Sequence, residues 1–214
     1  SLGIEAATPV VVVYEGSSPT DFGAAARVYW TLKAAGVKHL SILNGGVKAW
    51  RAANLPLVTE VPTVAPSTFT VKIDPALVAT QDEVASVIGK ESVRLLDARP
   101  AGFFLGETRH AAAKTPGTLA GAKNVDQAVW FAQESGALLP AADVKRIAQD
   151  NGLQTDQPTV SFCNTGHWAA TNWFVLSELA GVANVKLYPE SMVGWTNADG
   201  KVDLSPWLTG TVPV

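Results

Sequence analysis

The sequence predicts an α/β fold in which two units each carry a parallel-stranded sheet with helices on both faces. Short apolar runs of strand type alternate with amphipathic or Ala-rich helical stretches, a pattern that requires crossover connections and parallel pairing. The order strand, loop, helix, strand, short helix occurs twice along the chain. The 214 residues are 47% hydrophobic and 16% charged, enough apolar side chain for a packed interior.

Taken in order, the first strand is the run 10–14, Val10-Val11-Val12-Val13-Tyr14. An Ala-rich helical stretch over 24–35 follows, with Arg27, Tyr29 and Trp30, and Gly36 closes it as a left-handed C-cap. A second strand lies within 37–43, and a short helix ends near Trp50. Pro56, Pro62 and Pro66 then mark a connecting segment. Beyond it, Thr80-Gln81-Asp82-Glu83 reads as a capping box opening a helix through Ile88, and residues 93–97 read as a buried strand. An irregular segment over 106–119, a short stretch at 122–125 and a helix over 141–151 closed by Gly152 come next. The strand 159–162, a helix over 169–180, the cap Gly181, a strand from Val185 and a close at Trp195 complete the series.

The last group repeats the first: Gly36 to Trp50 matches Gly181 to Trp195 with the same separation. The first copy has no counterpart of 80–151 within this sequence. Residues 1–60 therefore read as the carboxy-terminal half of one unit, 61–75 as a linker and 76–214 as a complete second unit. A strand at 10–14 without its front half would leave an open sheet edge, so a separate amino-terminal fragment is expected as a partner. Trp50, Trp173 and Trp195 are expected as core anchors.

Composition narrows the function. A net charge of −3 gives no basic stripe for nucleic acid. One cysteine excludes an internal disulfide or a Cys-x-x-Cys pair, and His39, His110 and His167 form no zinc spacing with it, so neither metal nor cofactor is expected. No apolar stretch approaches the roughly 18 residues of a membrane span. Compartment stays open between cytoplasm and periplasm, because a leader upstream of Ser1 would not be seen.

The lone cysteine, Cys163, stands where the strand 159–162 turns into Asn164-Thr165-Gly166-His167-Trp168 and then a helix. Free amides at a helix N-terminus carry about half a unit of positive charge and favour thiolate over thiol. Cys163 is thus a candidate nucleophile, with a buried inert cysteine as the plain alternative. Asp97 ends another strand and can bond loop amides or pair with Arg99 to hold the turn in shape. A cysteine-dependent phosphatase is the lesser alternative, since Ala169 stands where a Cys-x5-Arg loop would place the arginine that clamps phosphate.

Leu95-Leu96-Asp97-Ala98-Arg99, the stretch Gly117 to Asn124, the turn Cys163 to Trp168 and the close at Trp195 together resemble the rhodanese-like sulfurtransferases of the tandem type. The resemblance implies a silent first domain, with Glu15 at the position equivalent to the thiol in a longer loop, and a catalytic second one. It implies transfer of sulfane sulfur from a small anionic donor, thiosulfate or 3-mercaptopyruvate, through a Cys163 persulfide to a thiophilic acceptor, cyanide or a thiol. The turn residues 164–168 would line the site, and Asp97, Arg99 and Arg109 would support it. The family often places a basic residue after Asp97-Ala98-Arg99, where this chain reads Gly102-Phe103-Phe104, so Arg109 or His110 is the candidate replacement. A persulfide carrier or binding module is the competing expectation.

Overall fold

A computed structural model describes residues 2–133, 136–154 and 156–204. Strand β1 (Val10–Val12) pairs in parallel with β2 (Leu40–Ile42), joined through helix α1 (Pro19–Ala34) and followed by α2 (Gly46–Ala52). Helix α1 starts earlier than its Ala-rich stretch suggests, because Ser18 accepts the amide of Asp21 and Pro19 occupies the first turn, where its missing N–H costs nothing. Residues 55–74 hold neither helix nor strand.

The rest of the chain builds a second sheet. Helix α3 (Gln81–Val87) opens with the expected reciprocal box between Thr80 and Glu83. It leads to β3 (Arg94–Asp97), α4 (Ala101–Phe104), β4 (Lys123–Asn124), a 3-10 turn at Gln127–Trp130 and α5 (Ala141–Asp150). Strand β5 (Thr159–Phe162), α6 (His167–Phe174) continuing as a π-helical turn at Val175–Ala180, β6 (Val185–Leu187) and α7 (Ser191–Asn197) follow. The strand order is β4-β3-β5-β6, with every pair parallel. None of the described helices is long and apolar enough to cross a membrane.

Alternation along the strands sorts two cores onto the two faces of this sheet. Leu96, Cys163 and Leu187 join Val144, Trp173 and Leu176 on one side; Leu95, Val160 and Phe162 join Val84, Phe104 and Trp195 on the other. The first of these cores also takes in the amino-terminal part. Phe22 and Tyr29 of α1 meet Phe174 edge to face, with ring centroids 5.6 and 5.0 Å apart. Fully buried Phe22 contributes about 1.5–3 kcal/mol by leaving water. Polar bonds align the same contact. Trp30 Nε1 donates to the Leu77 carbonyl at 3.1 Å, and Glu178 accepts from Tyr29 and Lys33.

Three expectations are corrected. The two-stranded sheet is not covered on both faces: Val11 and Val13 are 59% and 52% exposed, since α2 buries only Gly46. Trp50 is no core anchor; it is half-buried and donates to the carbonyl of Pro56, whereas Trp173 and Trp195 are buried. The counterpart of Cys163 is Tyr14, not Glu15. The pairings Val12↔Ile42 and Ser161↔Leu187 align the two copies, and Met192 N–H donates to the Cys163 carbonyl just as Val47 N–H donates to that of Tyr14. An apolar Tyr14 extends the valine run, so the end of the first strand is displaced by one residue when read from sequence.

Candidate active site

Strand β5 delivers Cys163 beyond its carboxyl end, the usual location of reactive groups in a parallel sheet. Helix α6 begins at His167, two residues sooner than the apolar pattern indicates, so the intervening turn is short. Its N-cap is Gly166 at φ +86, a left-handed conformation that an L side chain resists. A Cβ there would lie 2.1 Å from Arg27 Nη1 and 2.6 Å from the Pro189 carbonyl oxygen. Glycine is required twice over, by torsion and by space.

The Gly166 amide donates to Cys163 Sγ at 3.1 Å, placing the sulfur on the positive end of α6. The backbone amide of Cys163 donates to Ser191 Oγ at 3.0 Å, and Ser191 in turn donates to the Tyr188 carbonyl at 2.9 Å. Ser191 is fully buried at φ +51, where the first copy has Gly46 at φ +62. A β-carbon is thus carried in a strained conformation where it fixes the cysteine backbone. Sequence reading missed Ser191; the departure from glycine at a repeated position is the signal that could have found it. Cys163 is 1% exposed.

Asp97 and Arg99 form a buried ion pair beside the turn, 0% and 2% exposed. Asp97 accepts from the Arg99 amide at 3.0 Å, from Arg99 Nε at 2.9 Å and Nη2 at 2.6 Å, and from Thr118 Oγ1 at 2.8 Å. Arg99 also donates to the Gly117 carbonyl at 2.8 Å and to Asn164 Oδ1 at 3.4 Å. Asn164, next to Cys163, is thereby tied to β3. Fork geometry satisfies both charges, which is what permits an ion pair at this depth.

The outer side of the turn is more open. Thr165 and His167 are exposed, and Thr165 Oγ1 lies 3.2 Å from His167 Nδ1. Partial burial, together with the nearby Arg27 charge, lowers the His167 pKa from its ordinary value, so its imidazole is neutral at pH 7. Trp168 is half-buried; its ring meets Phe103 edge to face at 6.0 Å and its Nε1 donates to Thr20 Oγ1 at 3.1 Å, so it bridges α4 and α1.

Arg109 is not brought to this group. It is exposed, and its guanidinium is spent on the carbonyls of His110, Ala111 and Ala113 in its own loop. His110 Nδ1 accepts the Ala112 amide in that same turn. The cation at the turn is Arg27 from α1, which donates to the carbonyls of Thr165 and Pro189, each at 3.5 Å. Among the described residues no group of three or more His, Cys, Asp or Glu side chains is arranged to hold a metal.

The model of the rhodanese-like domain matches residues 80–198, which include the β3 end, the Cys163 turn and the Ser191 corner. The chain belongs to the rhodanese family. The rat 3-mercaptopyruvate sulfurtransferase is 30% identical to this chain over 198 residues, covering 91% of this chain and 65% of the relative. A putative thiosulfate sulfurtransferase of Saccharopolyspora erythraea is 33% identical over 181 residues, covering 80% and 62%. The chain therefore spans under two thirds of the length of these two relatives. A crystal structure of an Escherichia coli 3-mercaptopyruvate sulfotransferase superposes with a TM-score of 0.74 at 26% identity, covering 88% of this chain and 68% of that one.

Proposed function

We propose that this protein is a sulfurtransferase that moves sulfane sulfur from thiosulfate or 3-mercaptopyruvate to cyanide or a thiol through a persulfide on Cys163. The observation that carries this reading is Cys163 Sγ at the N-terminus of α6, accepting the Gly166 amide. The thiolate attacks the outer sulfur of thiosulfate, the S–S bond of the donor breaks, and sulfite leaves with the bonding pair. With 3-mercaptopyruvate, the carbon–sulfur bond breaks and pyruvate leaves after taking up a proton. The acceptor then attacks the outer persulfide sulfur, forming thiocyanate from cyanide and returning the Cys163 thiolate. Charge on sulfur is met by the Gly166 amide and the positive helix end, as an oxyanion hole meets oxygen.

Asn164 holds the turn through Arg99 and Asp97, while Thr165, His167 and Trp168 form its outer wall. No second thiol is available to resolve the persulfide as a disulfide, so the sulfur must pass to an outside acceptor. Residues 76–214 would form the catalytic domain and 1–60 the corresponding half of a silent one, with Tyr14 in place of the nucleophile.

Purified protein given thiosulfate or 3-mercaptopyruvate with cyanide is expected to form thiocyanate, and Cys163→Ser is expected to form none. Intact-mass measurement after donor alone should find one added sulfur on the Cys163 peptide. Equal turnover by the serine variant would refute the assignment, and an adduct that no acceptor discharges at a useful rate would favour the carrier reading.

A further inference from the structure

Arg27 belongs to α1, outside the span matched by the family model, yet its guanidinium lies against the nucleophile turn. Its Nη1 reaches the carbonyls of Thr165 and Pro189, which flank the two corners holding Cys163: one precedes Gly166, the amide donor to sulfur, and the other leads to Ser191, the acceptor of the Cys163 amide. The guanidinium carbon sits 5.2 Å from the Trp30 ring centroid, so the cation is held on an aromatic face. The absent side chain of Gly166 leaves the space it fills.

We propose that Arg27 is a positioning residue for the sulfur chemistry: it clamps both corners of the turn and supplies, from the amino-terminal part of the chain, the positive charge that favours the Cys163 thiolate and its persulfide. This rests on Cys163 acting as the nucleophile. The charge balance around the guanidinium is consistent with that role. Burial lowers the Arg27 pKa from its ordinary value, and the Cys163 sulfur and the Glu190 carboxylate act in the opposite direction. The other charged or titratable groups facing the turn are His167, which is neutral at pH 7, and the mutually compensated Asp97–Arg99 pair. Among the described residues Arg27 is thus the cation of the turn without an ion-pair partner, and exposed Glu190 is the carboxylate that acts on it electrostatically.

The test is the pH dependence of Cys163 alkylation by iodoacetamide, which needs no sulfur donor. Arg27→Gln should raise the pH of half-maximal rate by about one unit, roughly a tenfold slower reaction on the acid side. Arg27→Lys, which keeps charge but not the fork, should fall between wild type and the Gln variant. Glu190→Gln removes the exposed carboxylate that competes for the same guanidinium, and should lower the midpoint; it decides the matter if Arg27→Gln does not fold. An unmoved midpoint in folded Arg27→Gln, or an unmoved or raised one in Glu190→Gln, overturns the proposal. A wild-type protein that forms no persulfide yet retains the Arg27-dependent midpoint would instead remove the sulfur-transfer reading and leave the charge effect standing.

Discussion

Replacing Asp97 by Ala would leave the Arg99 guanidinium charged at 2% exposure with its carboxylate gone. Breaking one side of a buried pair costs about 3–5 kcal/mol, because the surviving charge has no water to turn to. The Asp97 oxygens also take the Thr118 hydroxyl and the Arg99 backbone amide, so those donors lose partners as well. For a domain of this size, roughly 2–4 °C accompanies each kcal/mol, which places the expected fall in thermal midpoint at about 6–20 °C. Differential scanning calorimetry of wild type, Asp97→Ala, Arg99→Met and the double variant measures it. The double variant should recover a large share of the loss, since apolar replacement of both partners removes the stranded charge. A loss below about 1 kcal/mol in Asp97→Ala, or strictly additive single effects, would refute the idea that this pair is a closed electrostatic unit. Thiocyanate formation should fall with it, because Arg99 is what ties Asn164 to β3.

Gly166→Ala is expected to cost at least 1–2 kcal/mol and nearly all turnover, since the new methyl meets the Pro189 carbonyl and Arg27 at a positive φ; urea titration together with the thiocyanate assay checks this. Glu178 sets an acid limit. Partial burial raises its carboxyl pKa, but bonds from Lys33, Ser177 and Tyr29 outweigh that and hold it below the ordinary carboxylate range. Its stabilising contribution is full above the unfolded value of about 4.3 and is lost as pH falls through the lower folded value. Thermal midpoints measured from pH 6 down to pH 3 should decline, and Glu178→Gln should start lower and decline less; parallel curves for the two proteins would refute the assignment.

The elements that local chemistry defines were readable from sequence. The Thr80–Glu83 box, the apolar strand at 159–162 and the Gly36 and Gly181 caps each follow from side chains within a few positions of one another. Cys163 at a strand-to-helix turn was readable for the same reason. What long-range packing decides was not. Arg27 reaches the turn only because α1 lies along α6, and no spacing in the chain announces that. Arg109 looked equivalent as a loop cation, yet its donors are consumed by neighbouring carbonyls. The early start of α6 escaped pattern reading because Gly166 caps it through torsion rather than through a side chain. Asp97 and Arg99 were legible as partners, two residues apart, while Thr118 and Asn164 complete their shell from distant segments.

With the sulfur at 1% exposure, peroxide and the thiols of neighbouring molecules are shut out as effectively as bulk water. Sulfenic acid formation and intermolecular crosslinking both need an approach from outside, so the resting protein resists them. On the sulfur-transfer reading, the same enclosure requires the turn to open before a donor meets Cys163, so the first encounter should be slow and sensitive to viscosity.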